Sequence, residues 1–124
     1  MNTTPLSIGY QLIIAILTKA GLPIVSTATY PRIVLDGLQG EELDKGGNIY
    51  QISGTLHAIS EDSYGEAFAL MDLAKSALTT ATDNAEGWKF LNVSMGAISA
   101  VTETSETANI INRLTVSITA IIEQ

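Results

Sequence analysis

Few residues in this chain could do chemistry. His57 is its one histidine, in the run SGTLHAI. A lone imidazole can serve as a general base only when a partner hydroxyl, thiol or carboxylate is held within hydrogen-bond reach. The chain has no cysteine, so thiolate nucleophiles, thiolate metal sites and disulfides are all excluded. No serine elbow, HExxH or phosphate loop occurs. Glu41, Glu42 and Asp44, in GEELDKGG, make the densest carboxylate cluster. Calcium loops space their ligands at regular intervals and close with a glutamate. Paired glycosidase carboxylates project from fixed elements, not from adjacent loop positions. Neither pattern fits, so the cluster reads as a solvated acidic loop and His57 as an ordinary residue on the polar face of a strand. The expectation is no catalytic residues, no cofactor and no metal.

Charge narrows the partners. The chain has 124 residues and a formal net charge of −7. Its basic residues, Lys19, Arg32, Lys45, Lys75, Lys89 and Arg113, are scattered singly, whereas a nucleic-acid reader shows a basic patch. Tight nucleic-acid binding is not expected. The opening run MNTTPLSIGYQLIIAILTKAGLPIV lacks a basic leader, and Lys19 and Pro23 interrupt it short of the ~20 apolar residues a membrane span needs. It reads as a buried helix, with no membrane partner.

The elements that must position these residues follow from punctuation and period. A first helix is expected over about Pro5 to Ala20. Thr3 or Thr4 can cap it, Pro5 suits its first turn, and Gly21 with Pro23 ends it. Leu6, Tyr10, Ile13, Ile14 and Leu17 form one apolar face. Ile8, Leu12 and Ile16 form a second, which makes them the candidate subunit interface. A strand is expected over Thr27 to Asp36 and another over Asn48 to Ser60. In the second, Tyr50, Ile52, Leu56 and Ala58 alternate with Gln51, Ser53, Thr55 and His57, and Gly54 marks a bulge or a close backbone approach. Between these strands lies GLQGEELDKGG, far longer than the two to five residues of an ordinary hairpin turn. With Leu38 and Leu43 as apolar anchors and Glu41, Glu42 and Asp44 as charges, it is a candidate assembly loop, mobile until it meets a partner. The bland alternative is a loop that tolerates its length.

Ser63 and Glu66 have capping-box spacing, and Ala67, Leu70, Met71, Ala74 and Leu78 recur at helical period, so a second helix is expected over Tyr64 to Thr80. TTATDNAEG reads as a polar exit. Leu91, Val93, Met95 and Ala97 outline a third strand, opened by Trp88 and Phe90. Ile110, Leu114, Val116, Ile118 and Ile122 outline a fourth, with TETSETAN as the connection. Tyr30, Tyr50, Trp88 and Phe90 read as core or interface aromatics. The expected fold is a single α+β domain over 1–124, a four-stranded mainly antiparallel sheet with two helices on one face, in the order α-β-β-α-β-β.

Taken in order, the segments LPIVSTA, YPRIVLDG, NIYQISGTLHAIS, YGEAFALMDLAKSAL (with its Gly-x-Ala-x-x-Leu pattern) and NRLTVSITAII resemble the small tail-completion or tail-terminator proteins of long-tailed bacteriophages and prophages. The resemblance runs through most of the chain, although SGTLHAI lacks the aromatic often found in that strand. It implies a non-enzymatic virion protein of the tail, made in the host cytoplasm. Such proteins form a homo-oligomeric ring, commonly hexameric, on the end of the tail tube. The ring stops tube growth and presents a surface to the head–tail connector, so the implied partners are other copies of the chain, the tail-tube protein and the connector protein. A head-completion or neck adaptor protein is an alternative within the virion. A small ligand-binding protein of ferredoxin-like α+β build is the alternative outside it.

Overall fold

The structure is a computed structural model, and it describes residues 4–24, 31–104 and 110–124. The elements are α1 (Pro5–Lys19), β1 (Arg32–Glu42), β2 (Ile49–Ser60), α2 (Tyr64–Thr79), β3 (Asn84–Ala85), β4 (Trp88–Met95), β5 (Ser99–Thr104) and β6 (Ile110–Glu123). The fold is α+β, with two helices and a curled antiparallel sheet. It has six strands where four were expected. The added pair is explained locally. Asn84–Ala85 turns back onto β4 through Glu86 and Gly87, both at positive φ, a two-residue turn whose twist suits a tight hairpin. Ser99–Thr104 is a strand because β6 is long enough to carry two partners along one edge, so part of the expected TETSETAN connection is paired instead.

The helix ends follow their punctuation. The Thr4 side chain accepts the Ser7 N–H, and Pro5 occupies the first turn of α1. Past its C-terminus, Leu22 N–H bonds to the Leu17 carbonyl and Gly21 N–H to that of Thr18, while Gly21 holds φ 83°. This pair of reversed bonds satisfies carbonyls the helix leaves open and turns Leu22 into the core. At α2 the Ser63 side chain accepts the Glu66 N–H, as the capping-box spacing predicts. The reciprocal arm differs. The Glu66 carboxylate takes a hydrogen bond from the buried Ser60 hydroxyl (2.6 Å), and Ser60 Oγ accepts the N–H groups of Asp62 and Ser63.

The sheet order is β1-β2-β6-β4-β3, with β5 also on β6. β2 pairs with β6 over its whole length, so β5 and β4 must lie end to end along the other side of β6. One sheet face carries Ile52, Leu56, Ala58, Leu114, Val116, Ile118, Ala120 and Ile122, all in the core with both helices. Trp88 and Phe90 join them, so these aromatics are core residues. α1 crosses β2 so closely that a Cβ on Gly9 would sit 1.7 Å from Ile52 Cδ1. Asn112 shares the core face and is buried, with its Nδ2 donating to the Ser60 carbonyl.

The expected long loop is where the structure departs most from the sequence reading. β1 begins at Arg32 and runs on to Glu42; the expected start at Thr27–Tyr30 lies outside the described residues. Gln39, Gly40, Glu41 and Glu42 pair with Ser53, Ile52, Gln51 and Tyr50. The register shifts between Asp36 and Gln39, where Gly37 and Leu38 together oppose Gly54. Gly37 holds φ 64°, the left-handed conformation at which a bulge inserts its extra residue. Gly54 leaves the space, because a Cβ there would lie 2.9 Å from Leu38 Cδ2. The true turn is short and is held by Asp44, whose Oδ1 accepts Asn48 N–H at 2.8 Å and Ile49 N–H at 3.1 Å.

Candidate functional site

Ile8, Leu12 and Ile16 do not form a free surface. Their exposures are 2%, 3% and 4% within the single chain. α1 packs against α2 as well as the sheet, so its second apolar face is covered from inside the subunit. Packing within the chain covers both apolar sides of this helix.

The candidate loop divides into parts with different roles. Leu38 packs against the core through the bulge and Asp44 closes the turn, so both serve the fold of the subunit. Glu41 and Glu42 are exposed on the outer end of β1, and Leu43 is 43% exposed at the turn. The segment is the end of a paired hairpin carrying one apolar residue and two carboxylates, and not a slack excursion. Backbone hydrogen bonding fixes where these three point, which a mobile loop would not do.

A polar network lies on the sheet face away from the helices. His57 on β2 has 13% of its side chain exposed. Its Nε2 lies 3.2 Å from Asp36 Oδ1 on β1, and its Nδ1 lies 3.1 Å from Thr115 Oγ1 and 3.2 Å from Arg113 Nη1 on β6. Arg113 continues the ladder to β5, with Nε and Nη2 donating to Glu103 Oε1 at 2.9 and 2.7 Å. A guanidinium can only donate. Nδ1 is therefore the accepting nitrogen, and Nε2 carries the hydrogen given to Asp36. The carboxylate–imidazole–hydroxyl order of Asp36, His57 and Thr115 has the outline of a nucleophile set, but the lone pair that would take the hydroxyl proton already faces Arg113. The ladder ties β1, β2, β6 and β5 together laterally. The Arg113–Glu103 pair is part-exposed and contributes about 0.5 kcal/mol after solvent screening. The signal available in the sequence was alternation alone, which puts His57, Arg113 and Thr115 on polar faces without saying that those faces are one.

An open cleft of about 290 Å³ lies between the C-terminal ends of the helices, lined by Ile16, Lys19, Ala77 and Asp83 among others. Lys19 and Asp83 face one another there at 3.7 Å. It shares no lining residue with the ladder. Among the described residues no three His, Asp or Glu side chains converge as a metal site. No described helix is long and apolar enough to cross a membrane.

No family model matches the chain. No curated protein matches it either. Among solved structures, the chain is similar to one from the virion of a native gene transfer agent (GTA) particle, with a TM-score of 0.64 at 16% sequence identity. The match covers 97% of this chain and 95% of that one. At such identity the likeness is one of fold, and it extends over nearly the whole of both chains.

Proposed function

We propose that this chain is a structural virion protein that assembles as a ring, commonly of six copies in proteins of the kind it resembles, on the end of a phage tail tube. There it stops tube growth and joins tail to head, with the tail-tube protein and the head–tail connector as its partners. The observation that carries the virion assignment is the end-to-end fold likeness to a chain of a virion particle. The tail-end position rests on the ordered sequence resemblance to tail terminators. The arrangement of polar groups supports a non-enzymatic role, since the accepting nitrogen of His57 is engaged by Arg113. Glu41, Glu42 and Leu43 are the assembly residues on this reading, and Leu38 and Asp44 hold them in place.

The test is native mass measurement of the purified protein, alone and mixed with purified tail tubes, followed by negative-stain imaging. The expected result is a closed ring of fixed copy number, seated on tube ends. A protein that stays monomeric in both conditions sinks the proposal. Rings that seat on filled heads and ignore tubes would replace it with the neck-adaptor reading.

A further inference from the structure

The sheet has two unlike ends. At one edge lies β1, whose outer end presents Glu41, Glu42 and Leu43. At the other lie β4 and β5. Beyond the short β3 pairing at Trp88 and Lys89, neither β4 nor β5 has a strand on its outer side among the described residues. Every residue of β5 but Glu103 is exposed. The strand has no proline or lysine to discourage pairing, and its one acid is engaged with Arg113.

Three of the large exposed apolar side chains collect along this second edge. Leu91 stands in the register shift between Phe90 and Asn92, and Ile98 stands in the link between β4 and β5. Phe68 is on α2, one turn beyond Tyr64, which hydrogen-bonds Thr102 on β5. That bond fixes which flank of α2 looks toward the β4–β5 edge, and Phe68 and Lys75 share the flank at helical spacing. Lys89 lies on β4 on the opposite side of the same edge. Lys75 and Lys89 are exposed and make no ion pair among the described residues. An apolar strip is thus bracketed by two lysines at one edge of the molecule. The other edge ends in two glutamates followed by an exposed leucine.

We infer that the β1–β2 hairpin end of one copy docks on the β4–β5 edge of the next, with Leu43 against the strip of Phe68, Leu91 and Ile98, and Glu41 and Glu42 against Lys75 and Lys89. This inference rests on the ring reading above and names the contact that builds the ring. The two surfaces lie on opposite edges of one sheet, with β2 and β6 between them, so a chain cannot satisfy itself. The contact is head-to-tail, the kind that generates closed rings when the rotation per copy closes. Opposite charges set the register, and the apolar strip supplies the desolvated area.

The experiment uses two double variants of the full chain, Glu41→Lys/Glu42→Lys and Lys75→Glu/Lys89→Glu. All four positions are exposed, and circular dichroism with thermal melting confirms that each variant folds. Native mass is recorded against protein concentration. Each variant alone faces like charge with like, so its assembly midpoint should rise about tenfold or more. An equimolar mixture should assemble again as alternating copies, because both kinds of junction then bring opposite charges together. Rescue should weaken as salt is raised. If the wild type forms rings and either variant alone does the same at unchanged concentration, the inference is overturned while the ring reading stands. If the variants fail to assemble and the mixture fails too, charge pairing across these edges is likewise overturned. A wild type that never assembles removes both.

Discussion

At the scale of single residues, close approaches and buried polar atoms decide stability. Gly9 has no room for a methyl group, since Ile52 Cδ1 would lie 1.7 Å from it. Gly9→Ala should therefore cost about 1–3 kcal/mol despite the better helix propensity of alanine, because the core must shift to accept the added atom. Trimming the opposing side chain with Ile52→Val should recover part of that loss, and urea unfolding of both single variants and the pair measures the coupling. Independent, additive effects would show that α1 simply moves away. Ser60 poses a different problem. Its hydroxyl serves the Glu66 carboxylate and two backbone N–H groups from a fully buried position. Ser60→Ala should cost about 2–3 kcal/mol, because it removes a hydrogen bond to a carboxylate and the acceptor of two backbone N–H groups at once. Ser63→Ala, which removes one exposed cap bond, should cost about 1 kcal/mol. Equal losses would mean that water replaces Ser60 without penalty.

At the scale of elements, the β1–β2 hairpin shows how one conformational residue sets a strand's course. Without the extra residue at Gly37 and Leu38, every side chain from Gln39 to Glu42 would change faces, since the side-chain period in a strand is two. Gly37→Val places a β-branched residue at φ 64° and should destabilise by about 1–2 kcal/mol, whereas Gly37→Asn should be nearly neutral. Denaturant midpoints at constant slope give the comparison. A valine variant as stable as the wild type would show that the bulge can relocate. The same element shows a limit of reading alone. Glycine and acid in GLQGEELDKGG mark flexible, solvated chain on composition, yet four of these residues pair because β2 offers edge groups opposite them. Pairing with a neighbouring strand leaves no mark in composition when the paired side chains are mostly polar.

For the whole molecule, charge and shape set what it meets. A net charge of −7 with no basic cluster opposes phosphate, and a ring of such subunits multiplies the repulsion. Titration of a labelled DNA duplex at about 0.15 M salt should show no binding, with the chain alone or assembled. Micromolar affinity that falls steeply as salt rises would point instead to a surface built to hold DNA.

What the sequence by itself determined is the local part. Both helices start where their caps place them, and α1 also stops at its glycine, because these residues act through bonds and dihedrals within a few positions. The alternation in Asn48 to Ser60 identified the buried side of β2, because period two is a property of one strand. The lack of cysteine could be read there too, since it does not depend on the fold. The tertiary structure alone decided what covers each face. Ile8, Leu12 and Ile16 announce an apolar surface but not whether their own sheet and α2 or another subunit closes it. His57 meets Asp36, Arg113 and Thr115 across 21, 56 and 58 positions of chain. Side-chain period tells which way a residue faces on its own element; only the order and register of strands decide who stands beside it.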